Sequence, residues 1–475
     1  MAGEPWLPPF FFCLCFCVGH NLMPPLRVSA NVSAPMLARC SYVKCNFLLI
    51  IWRCPGTTIS GVWMTFLRKA GLLSLAVLLW FLQTGCEDYY RPVANPIVSP
   101  GGQPQTSHYA WVVNFNPIGP GTTTELDVSG DTNLAVTSMG NGSIAEAFPP
   151  SSLALFVANR DSDSVSEYLP TLSLPVTTIS LLTGSRPIYV TSAQNSSMYV
   201  LNSGPNSACP NSGSVSTIPV STLSVSGTFC VGPSPTTMAQ SPSSPYLYVL
   251  NGDGTISVIN GGLVGTITPQ SGFNPVALGV SADGNWIFVV TQGSGGSAGE
   301  LEIISAGSIV VAGSVPLGVQ PTSAVSDPTL NRLYVTNTGA NSVSVFDTSN
   351  VNPANSPAIP LLGTVTVGVG PIGVTPLVNG LLFYVANAGS YNVSVVSASS
   401  FSVLTTVSLP AGANPVFIAS DPTSSKVYVA NQGTGNTTII QTSNNAVTQN
   451  IAAPPQVSGC INSCAPQTPM MVVSR

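Results

Sequence analysis

One strand returns eight times along this chain, and that recurrence constrains the fold more than any other feature. The segments ending AWVVN (Asn114), LFVAN (Asn159), MYVLN (Asn202), LYVLN (Asn251), IFVVT (Thr291), LYVTN (Asn337), FYVAN (Asn387) and VYVAN (Asn431) are versions of it, spaced 45, 43, 49, 40, 46, 50 and 44 residues apart. A second marker keeps step: Pro187, Pro235, Pro275, Pro321, Pro371 and Pro415 precede their anchors by 15 or 16 residues. A fixed period of this length signals a repeat architecture, in which each unit buries its apolar faces against its neighbours.

Within a unit the pattern is four short strands. In the last complete one they are PVFIAS, VYVAN, TTIIQT and AVTQNIA, joined by DPTSSK, by the loop QGTGN and by a turn. Runs rich in Val, Ile, Thr and Tyr, bounded by Gly, Asn, Asp and Ser, read as strands. Four antiparallel strands in 40 to 50 residues make one blade of a β-propeller. The chain ends on PMMVV (Pro469 to Val473), a first strand with no second strand after it, whereas AWVVN is a second strand without a first. The two are expected to complete one shared blade, sealing an all-β ring with no open edge between first and last blades. Eight blades are favoured; seven is the alternative, because Ser143 stands where the first unit should carry its Pro.

The YVAN, YVTN and YVLN anchors, each followed by a Gly-containing loop and a strand such as NSVSVFD or NVSVVS, resemble the YVTN-type β-propeller repeat. That group is related to lactonase-like and surface-layer-like propellers. The resemblance spans residues 109–475 and implies the fold; its members range from envelope proteins to a few enzymes, so it implies no single activity.

The N-terminal region reads as an address. From Met64 the sequence MTFLRKAGLLSLAVLLWFLQTGC has a basic start (Arg68, Lys69), an apolar stretch from Ala70 to Leu82 and small residues before Cys86. These are the parts of a secretory signal, and the apolar stretch falls short of the ~20 residues that cross a bilayer. The ending resembles a bacterial lipoprotein signal, which makes Cys86 the lipidated first residue of the mature chain; Gln83 departs from the usual Leu, so ordinary cleavage nearby is the alternative. Residues 64–85 are thus assigned as the signal and 86–108 as the lipidated Cys with a Pro/Gly/Ser-rich flexible tether. Residues 1–63, which hold six of the eleven cysteines, are assigned to an upstream extension outside the mature protein rather than to a Cys-rich metal or membrane module. The expected location is the bacterial envelope, periplasmic or at the surface.

Composition closes off several functions. Charged residues are 6% of the chain against ~25% in a typical soluble domain, while 44% are hydrophobic, so neither a helical bundle nor a disordered chain fits. From residue 109 onward fourteen acidic residues face five basic ones, and no basic run exists to attract phosphate, which argues against nucleic acid. Both histidines, His20 and His108, precede the repeats, so a Ser-His-Asp triad or a His-ligated zinc has no histidine there. No cofactor and no catalytic residue is assigned.

The densest group of opposite charges is Arg160, Asp161, Asp163 and Arg186. Arg160 follows an anchor Asn and Arg186 precedes a marker Pro, so the two are expected on one rim of adjacent blades. Their planar forks suit a carboxylate or phosphate, although a surface salt-bridge group is the plainer account. Asp161 and Asp163 lack the further carboxylates of a twelve-residue calcium loop. The anchor Asn residues are expected to start turns through their own backbone, and the aromatics three positions earlier to pack between blades. Cys209 and Cys230 fall at one blade edge and are expected to form a disulfide; Cys460 and Cys464 form a second candidate pair near the closing strand. The function expected is that of an envelope-anchored scaffold binding a protein, polymer or small ligand on its loop face. A lactonase-like hydrolase at the central opening and a structural surface coat are the alternatives.

Overall fold

The computed structural model describes residues 90–91, 95–96, 109–127, 130–149, 152–169, 176–192, 196–269, 273–456 and 465–474. All lie in one compact unit, Ala76–Arg475. The assigned extension, signal and lipidation site, Cys86 included, lie outside the described residues. A two-residue ladder, Tyr90–Arg91 with Asn95–Pro96, precedes the repeats.

Eight four-stranded antiparallel sheets form a β-propeller. Blade 1 joins both ends of the repeat region: Thr468–Ser474 is its first strand, followed by Tyr109–Phe115, Pro120–Asp127 and Thr132–Asn141. The first strands of blades 2 to 8 are Ser143–Ala147, Pro187–Ser192, Thr237–Gln240, Phe273–Val280, Pro321–Asp327, Pro371–Pro376 and Pro415–Ser420. In the closing ladder Trp111 faces Val473 and Val112 faces Val472. Head and tail therefore seal the ring as the sequence pattern requires, and Ser143 opens blade 2 without a Pro, which brings the count to eight.

Blades 2 to 8 keep their strands in chain order, and blade 1 does so apart from its first strand, which comes from the C-terminal end. First strands of neighbouring blades lie against one another, and they are largely buried. Fourth strands such as Leu361–Thr366 and Val403–Ser408 are largely exposed. The first strand is thus the innermost and the fourth forms the outer wall. Apolar residues of facing sheets fill the space between: Phe156, Phe288, Tyr334, Tyr384 and Tyr428, from one recurring position, are all buried, with Trp111 in that place in blade 1. Burying such rings is the main stabilising contribution here, at roughly 25 cal/mol per Å² of apolar surface. Phe417, on the inner strand of blade 8, packs against clusters belonging to blades 1 to 3, to blades 6 and 7, and to blades 8 and 1.

This topology divides the connections between two faces. Loops from fourth to first and from second to third strands form the upper face. The lower face has the other turns, which carry Asp127, Asp131, Asp283, Asp327, Asp347 and Asp421 against Arg332 and Lys426.

Candidate functional site: the upper face

The anchor Asn builds this face. In seven blades its Nδ2 donates to a third-strand hydroxyl at 2.8–3.0 Å: Asn114 to Thr124, Asn159 to Ser166, Asn202 to Ser216, Asn251 to Ser257, Asn337 to Ser344, Asn387 to Ser394 and Asn431 to Thr438. In three blades its Oδ1 also accepts the N–H of a glycine from the preceding blade: Gly140, Gly232 or Gly318. A Cβ on any of these glycines would fall within 2.8 Å of the Asn side chain, so the close approach requires Gly. The Asn is therefore a staple between strands and between blades, rather than the initiator of its own turn.

Blade 5 breaks the pattern twice. Thr291 replaces the Asn and Glu302 replaces the hydroxyl residue in the same register, and both are buried. Thr291 Oγ1 instead donates to the Glu300 carbonyl at 3.0 Å.

Inside this ring of staples lies the axial opening. In seven blades the residue that follows the marker position of the inner strand, Ser143 in blade 2 and a Pro in the other six, is bulged out of the ladder: Ile144, Ile188, Val276, Thr322, Ile372, Val416 and Met470. All are half-buried, and only Thr322 is polar. A bulge frees a side chain from the pleat and re-aims it. The result is a mostly aliphatic collar of positions at the upper end of the inner strands, five of which, Ile188, Val276, Ile372, Val416 and Met470, pack against the apolar clusters between blades.

The rim around the collar is uneven. Blade 5 has eight residues in each of its first three strands where most blades have four to six, and its second hairpin ends in the turn Ser294–Gly296. In blade 1, opposite in the ring, the corresponding loop exposes Ile118. The second-to-third-strand loop of blade 3, between Asn202 and Ser214, is held by the expected Cys209–Cys230 disulfide. Asn206 braces the same loop, donating to Ser185 and Ser214 and accepting the N–H of Cys209. Cys460 and Cys464 lie outside the described residues.

The four charged residues singled out from sequence do meet between blades 2 and 3, and most of their capacity is engaged. Both nitrogens of the Arg160 fork donate to Asp161, at 2.8 and 3.0 Å, and the guanidinium lies 5.2 Å from the Phe115 ring centroid. The hydrogen bond from Arg160 holds the Asp161 carboxyl below its ordinary range, with Arg186 adding a favourable field. Asp163, in the left-handed region at φ 46°, accepts the backbone N–H groups of Gly184 and Arg186 at 2.8 and 2.7 Å. Asp163 thereby shapes the loop that presents Arg186, which is exposed and makes no ion pair among the described residues. Among the described residues no three His, Cys, Asp or Glu side chains gather as metal ligands.

Sequence reading missed Glu146, a fully buried carboxyl on the inner strand of blade 2. It accepts the N–H of Val113 at 3.1 Å and the hydroxyl of Thr123 at 3.0 Å, both in blade 1. Burial pushes its pKa up to about 8, against the lowering effect of those hydrogen bonds. Its only signal in sequence is one acid within the apolar run IAEAF.

No protein-family model and no curated protein matches the chain. Solved structures do. The dihydro-heme d1 dehydrogenase NirN is 11% identical over 78% of each chain, with a TM-score of 0.56. Sqt1 from Chaetomium thermophilum is 14% identical over 68% of this chain and 93% of its own, with a TM-score of 0.52. Apo AztD from Citrobacter koseri is 11% identical over 78% of this chain and 98% of its own, with a TM-score of 0.51. At these identities the likeness is one of fold, and the fold is a β-propeller.

Proposed function

We propose that this chain is an exported, envelope-anchored propeller whose upper face binds a partner, be it protein, polymer or small ligand, and that it works as a scaffold rather than as a catalyst. The observation that carries the reading is the asymmetry of that face. A hydrolytic centre at the axis calls for charged groups converging on the opening. Here the inner strands carry mostly aliphatic residues at their upper ends, and the Arg160, Asp161, Asp163 and Arg186 group lies between blades 2 and 3, with Arg160 paired to Asp161 and Asp163 held by backbone N–H groups. Raised hairpins on blades 1 and 5 and the braced loop of blade 3 supply an irregular polar surface on a rigid ring, as recognition loops require. Export and anchoring rest on the Met64–Cys86 segment and its resemblance to a lipoprotein signal.

The test is photo-crosslinking in intact cells from the full chain, with the reactive group at Gln432 on the upper face or Asn444 on the lower. Discrete adducts from Gln432 and none of matching mass from Asn444 are expected. A chain that gives no adduct from Gln432, or that hydrolyses sugar lactones when purified, overturns the scaffold reading.

A further inference from the structure

The outer wall carries a second repeated device. In six blades the fourth strand has one residue more than its partner near its lower end, and the extra residue is Leu134, Val264, Ala312, Leu362, Leu404 or Thr448. Four of the six are large and aliphatic, and they are well exposed: Leu134 50%, Val264 52%, Leu362 39% and Leu404 57%. Their neighbours Leu263, Leu361 and Val403 are exposed as well. None of the eight fourth strands contains a charged residue.

Edge strands of soluble proteins are usually blunted with charge, and a bulge does part of that work by twisting the edge away from pairing. A bulge alone requires no Leu or Val. Here it lifts large aliphatic side chains out of the wall at one height, next to the lower face, in blades 4, 6, 7 and 1, with Ala312 at the same place in blade 5. Scattered apolar residues are ordinary on a protein surface; a set fixed at one level by a repeated backbone feature defines a plane.

The chain enters the ring on that same side. Second strands run from the lower to the upper face, so Tyr109, the first residue of one, sits at the lower edge. The 22 residues between Cys86 and Tyr109 can span up to ~75 Å when extended, so a lipid at Cys86 would bring the ring to a membrane without fixing which face meets it. The girdle supplies the missing orientation.

We infer that the lower rim of the propeller rests on a phospholipid leaflet, with the aliphatic girdle at the level of the headgroups and the upper face turned away from the membrane. This rests on the proposed anchoring at Cys86. The leaflet it fits is zwitterionic, because the lower-face turns carry six aspartates against two basic residues and would be repelled by anionic lipid.

The experiment uses the full, processed chain on vesicles of zwitterionic phospholipid in which a fraction carries bromine on the acyl chains. A fluorophore is attached at L404C on the girdle or at Y391C on the upper face, and quenching is compared. Several-fold stronger quenching at position 404 is expected, reduced when L134N and L362N are added. Equal and weak quenching at both positions, with the chain retained on the vesicles and Cys86 found acylated by mass spectrometry, overturns the inference and leaves the anchor standing. A chain that leaves the vesicles with Cys86 unmodified overturns both.

Discussion

Lys426 Nζ lies 2.7 Å from Asp131 Oδ2, across the seam between the last blade and the first and 295 positions apart in sequence. Their side chains are only 8% and 14% exposed. Removing one member of a pair so enclosed leaves a charge with little water, which costs about 3–5 kcal/mol. Lys426→Met is expected to destabilise by roughly that amount in urea denaturation, and Lys426→Met with Asp131→Leu to recover most of it. A double variant as unstable as the single would show that the pair contributes more than its desolvation costs.

Glu146 gives stability a pH dependence of definite sign. Its pKa is raised from 4.5 to about 8 on folding, so between those values the folded protein holds a proton that the unfolded chain releases. The contribution is fully present below about pH 4.5 and is lost as pH rises towards 8. Within the window the slope approaches about 1.4 kcal/mol per pH unit. Glu146→Gln should flatten the profile, read as denaturation midpoints from pH 5 to 8.

The Asn staples can be tested from either end. Asn337→Ala strands the Gly318 N–H and the Ser344 hydroxyl in a buried setting and should cost about 2–4 kcal/mol. Gly318→Ala drives a methyl to within 2.8 Å of Asn337 and should cost about 1–3 kcal/mol. Gly262→Ala, which meets nothing within 4 Å, is the control and should stay within about 0.5 kcal/mol of wild type by thermal unfolding.

Cys209 and Cys230 close a loop with a sequence separation of 21. Cys209→Ser with Cys230→Ser is expected to lower stability by about 3 kcal/mol. Limited proteolysis should then cut first between Asn202 and Ser214, whereas cutting elsewhere at an unchanged rate would mean Asn206 alone holds the loop.

The fold was legible because its signals are local and repeated: the anchor strand, the Pro 15 or 16 residues before it, and the incomplete units at both ends. The site was legible only in part. Arg160, Asp161, Asp163 and Arg186 fall together as their positions in the repeat require, yet sequence could not show that Asp161 would occupy the Arg160 fork, because that depends on rotamers. The partner of each Asn was hidden for a related reason. It lies 6 to 14 residues downstream across loops of differing length, and its regularity emerges only after strands are aligned in register. Glu146 was missed because its partners, Val113 and Thr123, belong to another blade. The double departure in blade 5, Thr291 with Glu302, is visible in sequence once that pairing is known.

The shared blade sets an order of events in biosynthesis. Tyr109–Phe115 is made first and must wait, its inner edge bare, until Thr468–Ser474 has left the ribosome and, for an exported chain, the translocase. Each nascent copy thus passes through a stage with seven finished blades and an eighth that lacks its inner strand, and a premature stop between Ala452 and Thr468 would trap it there.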